Sequence, residues 1–316
     1  MGVKTNIADA QQSLFASNLN DALARFHLSP EELVYKLRGI GYFLSAETLN
    51  RWCEGKSLPR DSSAFQIAAC LEDILGVERG QLCESLLRDL FPVKPFISDE
   101  HVAPKSLTLP LISDFDADDD SFSLTEDTDW AVDSHRLVVK DEMRISPDRK
   151  TALWSTTIGS LVPPVAKPSV EVGVMLDSNE KPYLGKFILD TYGAYVGNET
   201  CVEQGGMQSY KAHLFFNDDI VPGEIAFCSL VRGVVCEEEQ NNLSWRIFKK
   251  ELDYYSCTIL FEGQAPRTAE YVVLPYRHSE NSEPVVMPLE VKDNFVKVSI
   301  RNFGQAGESG YIRYTL

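Results

Sequence analysis

Residues 29–60 read SPEELVYKLRGIGYFLSAETLNRWCEGKSLPR, and two helix starts, a glycine-containing turn and a helix stop follow one another within them. Ser29, Pro30 and Glu32 form a start signal: the serine hydroxyl can take a first-turn N–H, proline sits where no amide hydrogen is needed, and the glutamate reaches back to the cap. The helix that begins there buries Leu33, Val34 and Leu37, and Gly39 and Gly41 are expected to break it. After Tyr42-Phe43-Leu44, the segment Ser45-Ala46-Glu47-Thr48 opens a short helix that runs to about Glu54. Leu49 and Trp52 sit three residues apart and face inward, so Glu47 and Arg51 fall on the opposite, exposed side. Thr48 lies at the edge of that side and the small Ala46 near the helix N-terminus, while Gly55 ends the helix and Pro59 forbids its continuation.

Helical periodicity extends outward from this stretch. Phe15, Leu19, Leu23 and Phe26 predict an earlier amphipathic helix that ends near His27, with Asn18, Asp21 and Arg25 on its polar side. Ala64, Phe65, Ala68, Leu71 and Leu75 predict a helix that returns over the core, and Leu82, Leu86 and Leu90 a fifth.

The order LSPEELVYKLR, LSAETLNRWCEGKSLPR, FQIAACLEDILGV resembles the Xre/Cro-type phage-repressor helix-turn-helix family over about a quarter of the chain. Ser29, Glu32, Leu33 and Leu37 match the second-helix positions; Ser45, Thr48, Leu49, Arg51, Trp52, Gly55, Lys56 and Pro59 match the recognition helix and its exit. The resemblance implies binding of double-stranded DNA, with Ser45 and Lys56 on phosphate and Glu47, Thr48 and Arg51 toward bases. Ala46 and Arg60 complete the candidate surface. Two bland alternatives stand beside it: Arg51 paired to Glu47 one turn earlier, and Lys56 and Arg60 as ordinary solvated cations.

Beyond residue 91 the character of the chain changes. Residues 1–95 carry 10 Lys/Arg against 12 Asp/Glu, which leaves 20 against 35 for the remainder, or −15 of the total −17. So acidic a surface repels phosphate, so the second part is expected to meet protein, ligand or solvent rather than DNA. Pro92 to Trp130 is rich in carboxylates and reads as a linker; Asp114 to Asp120 lacks the central glycine and terminal glutamate of a calcium loop. Thereafter Val170–Leu176, Tyr210–Phe216, Glu224–Val235, Leu243–Phe248, Tyr254–Phe261, Ala269–Tyr276, Phe295–Ile300 and Tyr311–Leu316 read as strands. The expected fold is a multidomain α + β chain: an all-α helix-turn-helix bundle over 1–91, the linker over 92–130, and a mostly antiparallel β-sandwich or jelly-roll-like domain over 131–316. Gly205-Gly206 and the Gly304 to Gly310 segment are expected to be turns, and most of the strand aromatics core. Of the Tyr254-Tyr255 pair, alternation should turn one ring outward.

The seven cysteines form no Cys-x-x-Cys pair and read as buried thiols, a redox pair among the last four being the alternative. Neither a metal site nor a cofactor is predicted, because the five histidines show no i, i+4 pair and no phosphate loop, nucleophile elbow or His-Glu-x-x-His motif occurs. With no secretory leader and no apolar run long enough to span a bilayer, a cytoplasmic protein is expected. The leading expectation is a sequence-specific transcriptional regulator, a homodimer whose β domain dimerises, senses a small molecule or recruits a protein. The second is a phage, plasmid or defence-system interaction protein that uses the module for docking, and an enzyme fused to a DNA-binding head is the third.

Overall fold

The structure is a computed structural model that describes residues 13–92, 132–133, 135–163, 168–176, 179–204, 207–216, 220–237, 242–247, 252–274, 284–303 and 309–315. The chain divides into two units, Met1–Lys94 and Pro95–Leu316. The expected linker lies almost wholly outside the described residues, as does the Asp114 to Asp120 run.

In the first unit the first three helices each begin at a capping serine that stands next to them in sequence. Ser13 caps α1 (Leu14–Phe26), and His27 closes it in the left-handed region at φ 51°. Phe15, Leu19 and Leu23 are buried, but Phe26, expected with them, is exposed: it is the last helical residue and lies over Gly76 instead. The capping box forms at α2 (Pro30–Gly39), with Ser29 N–H donating to Glu32 Oε2 at 2.8 Å and Glu32 N–H to Ser29 Oγ at 3.3 Å. Gly39 is still helical; the break falls at Gly41, whose φ of 95° is easy only for glycine. Helix α3 (Ala46–Cys53) follows, then α4 (Ala64–Leu75), ended by Gly76, and α5 (Gln81–Leu90).

Two carboxylates bind these helices to one another. Asp89 of α5 accepts from Ser13 Oγ at 2.7 Å and from the N–H groups of Leu14 and Phe15 at 3.1 and 2.9 Å, so it serves the open N-terminus of α1. Glu72 of α4, 0% exposed, accepts from the N–H groups of Gly80, Leu82 and Cys83 at 2.8, 2.8 and 2.9 Å. Helix α5 starts at a glycine with no capping side chain of its own, and the Glu72 carboxylate supplies the missing acceptor.

The second unit is built of strands β1 (Val132–Asp133), β2 (His135–Ile145), β3 (Thr151–Leu161), β4 (Pro168–Leu176), β5 (Glu180–Pro182), β6 (Asp190–Tyr192), β7 (Ala194–Gln204) and β8 (Met207–Phe216). These are followed by β9 (Ile225–Cys236), β10 (Asn242–Ile247), β11 (Leu252–Phe261), β12 (Thr268–Leu274), β13 (Val285–Leu289), β14 (Val291–Lys292), β15 (Phe295–Phe303) and β16 (Ser309–Thr315). They form three sheets, ordered β1-β4-β8-β7, β10-β16-β12-β13 and β14-β15-β11-β2-β3-β9-β5, with β6 also on β9. Pairing is mostly antiparallel; β1 with β4 and β2 with β11 are the parallel pairs among the described residues. Val139, Ile158, Leu230 and Tyr255 of the large sheet, Val170 and Leu214 of the β1-β4-β8-β7 sheet, and Tyr271 and Ile312 of the β10-β16-β12-β13 sheet belong to one buried cluster.

The central strands β2 and β3 were not among the expected ones, because polar residues interrupt their alternation. Lys140 and Glu142 lie almost wholly buried on one face of β2 and pair at 3.3 Å. Asp141, on the opposite face, accepts from Thr156 Oγ1 at 2.6 Å and from the Tyr255 hydroxyl at 3.3 Å. Buried polar groups persist where each has a partner, and these do. Tyr254 and Tyr255 are both fully buried, contrary to the expected split, so both faces of β11 are covered along this stretch. Most of the strand aromatics are expected in the core; Tyr192 and Tyr195 are exceptions, both exposed, the latter on β7 at the rim of its sheet. Gly310, expected in a turn, lies in β16 against the Tyr271 ring; Gly205-Gly206 and residues 304–308 lie outside the described residues. All seven cysteines are free, with Cys83, Cys228, Cys236 and Cys257 buried and Cys53, Cys70 and Cys201 half-buried.

Candidate nucleic-acid interface

Helix α3 is an eight-residue amphipathic rod held at several points. Leu49 and Trp52 are buried, Trp52 packing edge-on against Phe15 of α1 with ring centroids 6.4 Å apart. Near its C-terminal end, Asn20 Nδ2 of α1 donates to the Cys53 carbonyl at 2.7 Å. Ser45 caps its N-terminus, its hydroxyl accepting from Thr48 N–H at 3.0 Å and sharing a hydrogen bond with Thr48 Oγ1 at 2.9 Å. Two hydroxyls that share one hydrogen bond keep one O–H able to donate outward. Ser45 and Thr48 thus present a coupled pair of hydroxyls at the helix start.

The outward face carries the remaining expected residues. Glu47 and Arg51 are exposed, and Ala46 and Thr48 are half-exposed at the first turn. The Arg51 guanidinium has no ion-pair or hydrogen-bond partner among the described residues, so the alternative pairing with Glu47 is not formed. Lys56 instead pairs with Glu54 at 2.7 Å, both side chains largely in solvent. A pair of this kind is worth about 0–1 kcal/mol and can yield its lysine to a phosphate at small cost. The chain leaving α3 folds back on it, Lys56 N–H and Ser57 N–H donating to the Arg51 carbonyl at 2.9 and 3.3 Å, before buried Pro59 and exposed Arg60.

The connection between α2 and α3 is longer than a tight turn, yet it is pinned. Tyr42 N–H donates to the Leu37 carbonyl at 3.0 Å, and the Tyr42 hydroxyl to Gln66 Oε1 of α4 at 3.3 Å. Around it stand three exposed apolar side chains that helical periodicity did not single out: Tyr35, Ile40 and Phe43 at 78%, 54% and 81% exposure. The signal available for Phe43 was an aromatic ring in a connection rather than in a helix period.

In the β unit, Ser169 Oγ lies 3.1 Å from His213 Nδ1, and His213 and Tyr195 each stack on Phe215. Ser169 is fully buried within β4, where no substrate carbonyl can approach, so the pair serves as a cross-strand contact. The side chains of Trp245 and Phe248 lie outside the described set. Among the described residues no group of three or more His, Cys, Asp or Glu is placed to hold a metal ion, and no helix is long and apolar enough to cross a membrane.

No protein-family model matches the chain, and no curated protein does. A loose structural likeness extends to a candidate protease from Parabacteroides distasonis solved at 2.00 Å resolution, with 9% identity and a TM-score of 0.33. It covers 58% of this chain and 40% of that one, so this chain spans two-fifths of that protein's length.

Proposed function

We propose that this chain is a sequence-specific DNA-binding regulator of the Xre/Cro-like type, with α3 as its reading helix and the β unit as its dimerisation or effector module. The observation that carries this reading is Arg51: an exposed guanidinium without a carboxylate partner among the described residues, on a short helix whose opposite face is anchored by Leu49 and Trp52. A guanidinium so placed can donate two parallel hydrogen bonds to guanine O6 and N7 in the major groove, worth about 1–3 kcal/mol of discrimination. Ser45 and Lys56 would hold phosphates around it, with Glu47 and Thr48 toward the base edges and Ala46 and Arg60 completing the surface. Because the helical module is nearly neutral, pairing of two copies would add the contacts that one copy lacks.

Selection of duplexes from a random library, followed by binding of the recovered duplex at several salt concentrations, tests the reading. Arg51→Ala should weaken that duplex about tenfold to a hundredfold per half-site, and Lys56→Ala should weaken all duplexes alike and lower the salt slope by about one. If neither variant changes duplex binding in the folded protein, α3 is not a reading helix. The Lys56–Glu54 pair and the acidic net charge favour a second reading, in which the helical module docks on a protein; salt-independent binding to a protein partner without any duplex affinity would support it.

A further inference from the structure

Among the described residues Phe43 is the most exposed of the large apolar side chains, at 81%, and it stands two residues before Ser45, the cap of α3. Its neighbours explain why it points away from the helices. Tyr42 is tied to Gln66 of α4 and Leu44 is half-buried, so in the non-helical stretch between Gly41 and Ser45 the ring between them is left to project outward. The stretch is fixed at both ends: at Gly41 by the turn onto Arg38, and at Ser45 by the capping hydrogen bonds. Phe43 is therefore presented by an ordered backbone at the end of α3 that carries Ala46 and Glu47. Ile40, on the same connection, is exposed as well, and exposed apolar side chains that stand together mark an interaction surface.

Resting on the function proposed above, we infer that Phe43 is a specificity-determining residue of the DNA interface and that it reads the C5-methyl group of thymine. The major groove offers one apolar group, the thymine methyl, and a phenyl ring is among the side chains that match it. Phe43 stands at the N-terminal end of α3, whose first turn a docked reading helix brings to base edges. Exposed cations on the flanking helices suit a polyanion: Arg38 and Arg51 have no ion-pair partner among the described residues, while Lys36 interacts with Glu32. Contact with a methyl group also suits a nearly neutral module, because it adds discrimination without adding charge.

The test measures wild type and Phe43→Ala, in the full chain, on the duplex recovered by selection and on copies in which single thymines are replaced by uracil. That exchange removes the methyl group and leaves every hydrogen-bonding group in place. At one thymine per half-site, wild type should lose about fourfold on the exchange, as expected for one buried methyl. Phe43→Ala should bind the thymine and uracil duplexes alike, at about the wild-type affinity for uracil. Phe43→Leu should restore part of the difference. Melting temperatures of both variants should match wild type, because so exposed a ring contributes little to the fold. Unchanged methyl discrimination in Phe43→Ala overturns the inference, and with Arg51→Ala still defective it leaves the DNA-binding reading standing. Full affinity of Phe43→Ala for the thymine duplex overturns it equally. Absence of any duplex binding by wild type overturns both, and would turn attention to Phe43 as a protein contact.

Discussion

The Glu72 carboxylate provides the sharpest test of how the helical unit is held. Glu72→Ala removes the acceptor for three N–H groups at the start of α5, those of Gly80, Leu82 and Cys83, in a place where the wild-type side chain is 0% exposed. Hydrogen bonds to a charged group contribute about 1.5–3 kcal/mol each, and a donor left buried without an acceptor costs about 1–3 kcal/mol. The three do not add fully, because they share one carboxylate and the α5 terminus can relax toward water. A loss of about 3–5 kcal/mol is expected. A unit of this size has about 4–12 kcal/mol in all at ordinary stability per residue, so most of it would disappear. Glu72→Gln should fall between, since one amide oxygen still serves Leu82 and Cys83 while the NH2 group faces the Gly80 N–H. Urea unfolding of the full chain followed by circular dichroism at the helical band reads the effect, as the long helices belong to this unit. A loss below about 1 kcal/mol in Glu72→Ala would refute the claim that this carboxylate holds α5.

Three further outcomes follow from particular residues. The backbone N–H and hydroxyl of Ser29 hold the Glu32 carboxyl below its ordinary value of 4.5. A depressed folded value means that the stabilisation is present above pH 4.5 and is lost as pH falls through the folded value, so the stability gap between wild type and Glu32→Ala should close in that window of an acid titration followed by circular dichroism. In β16, a Cβ at Gly310 would overlap the Tyr271 hydroxyl and ring, so Gly310→Ala should cost about 1–3 kcal/mol in thermal unfolding. Gly173→Ala, where a Cβ meets only the Tyr210 carbonyl at 3.6 Å, should be near neutral in the same assay. Limited proteolysis should cut first between residues 92 and 130 and leave two folded fragments, since the two units divide at Lys94 and Pro95.

Local signals were sufficient for the helical unit and for the candidate interface. The Ser29-Pro30-Glu32 cap, the Ser45 cap, the Leu49/Trp52 spacing that leaves Arg51 outside, and the stops at Gly55 and Pro59 act within one or two turns, so each is readable where it stands. The strand-rich character of the second part was legible in the same way, from alternating β-branched and aromatic runs. What tertiary structure alone decided are the partners distant in sequence. Glu72 and Asp89 read as surface carboxylates until α4 and α5 bring them to open helix ends. Lys140, Asp141 and Glu142 disguised the central strand β2, since their burial depends on partners at Thr156 and Tyr255 and on each other. Tyr254 is buried because both faces of β11 are covered, and Phe43 is exposed because Tyr42 finds Gln66. Periodicity reports which face of an element is apolar, but a polar side chain that pairs across the fold carries no periodic mark, and its place is set only when the strands and helices meet.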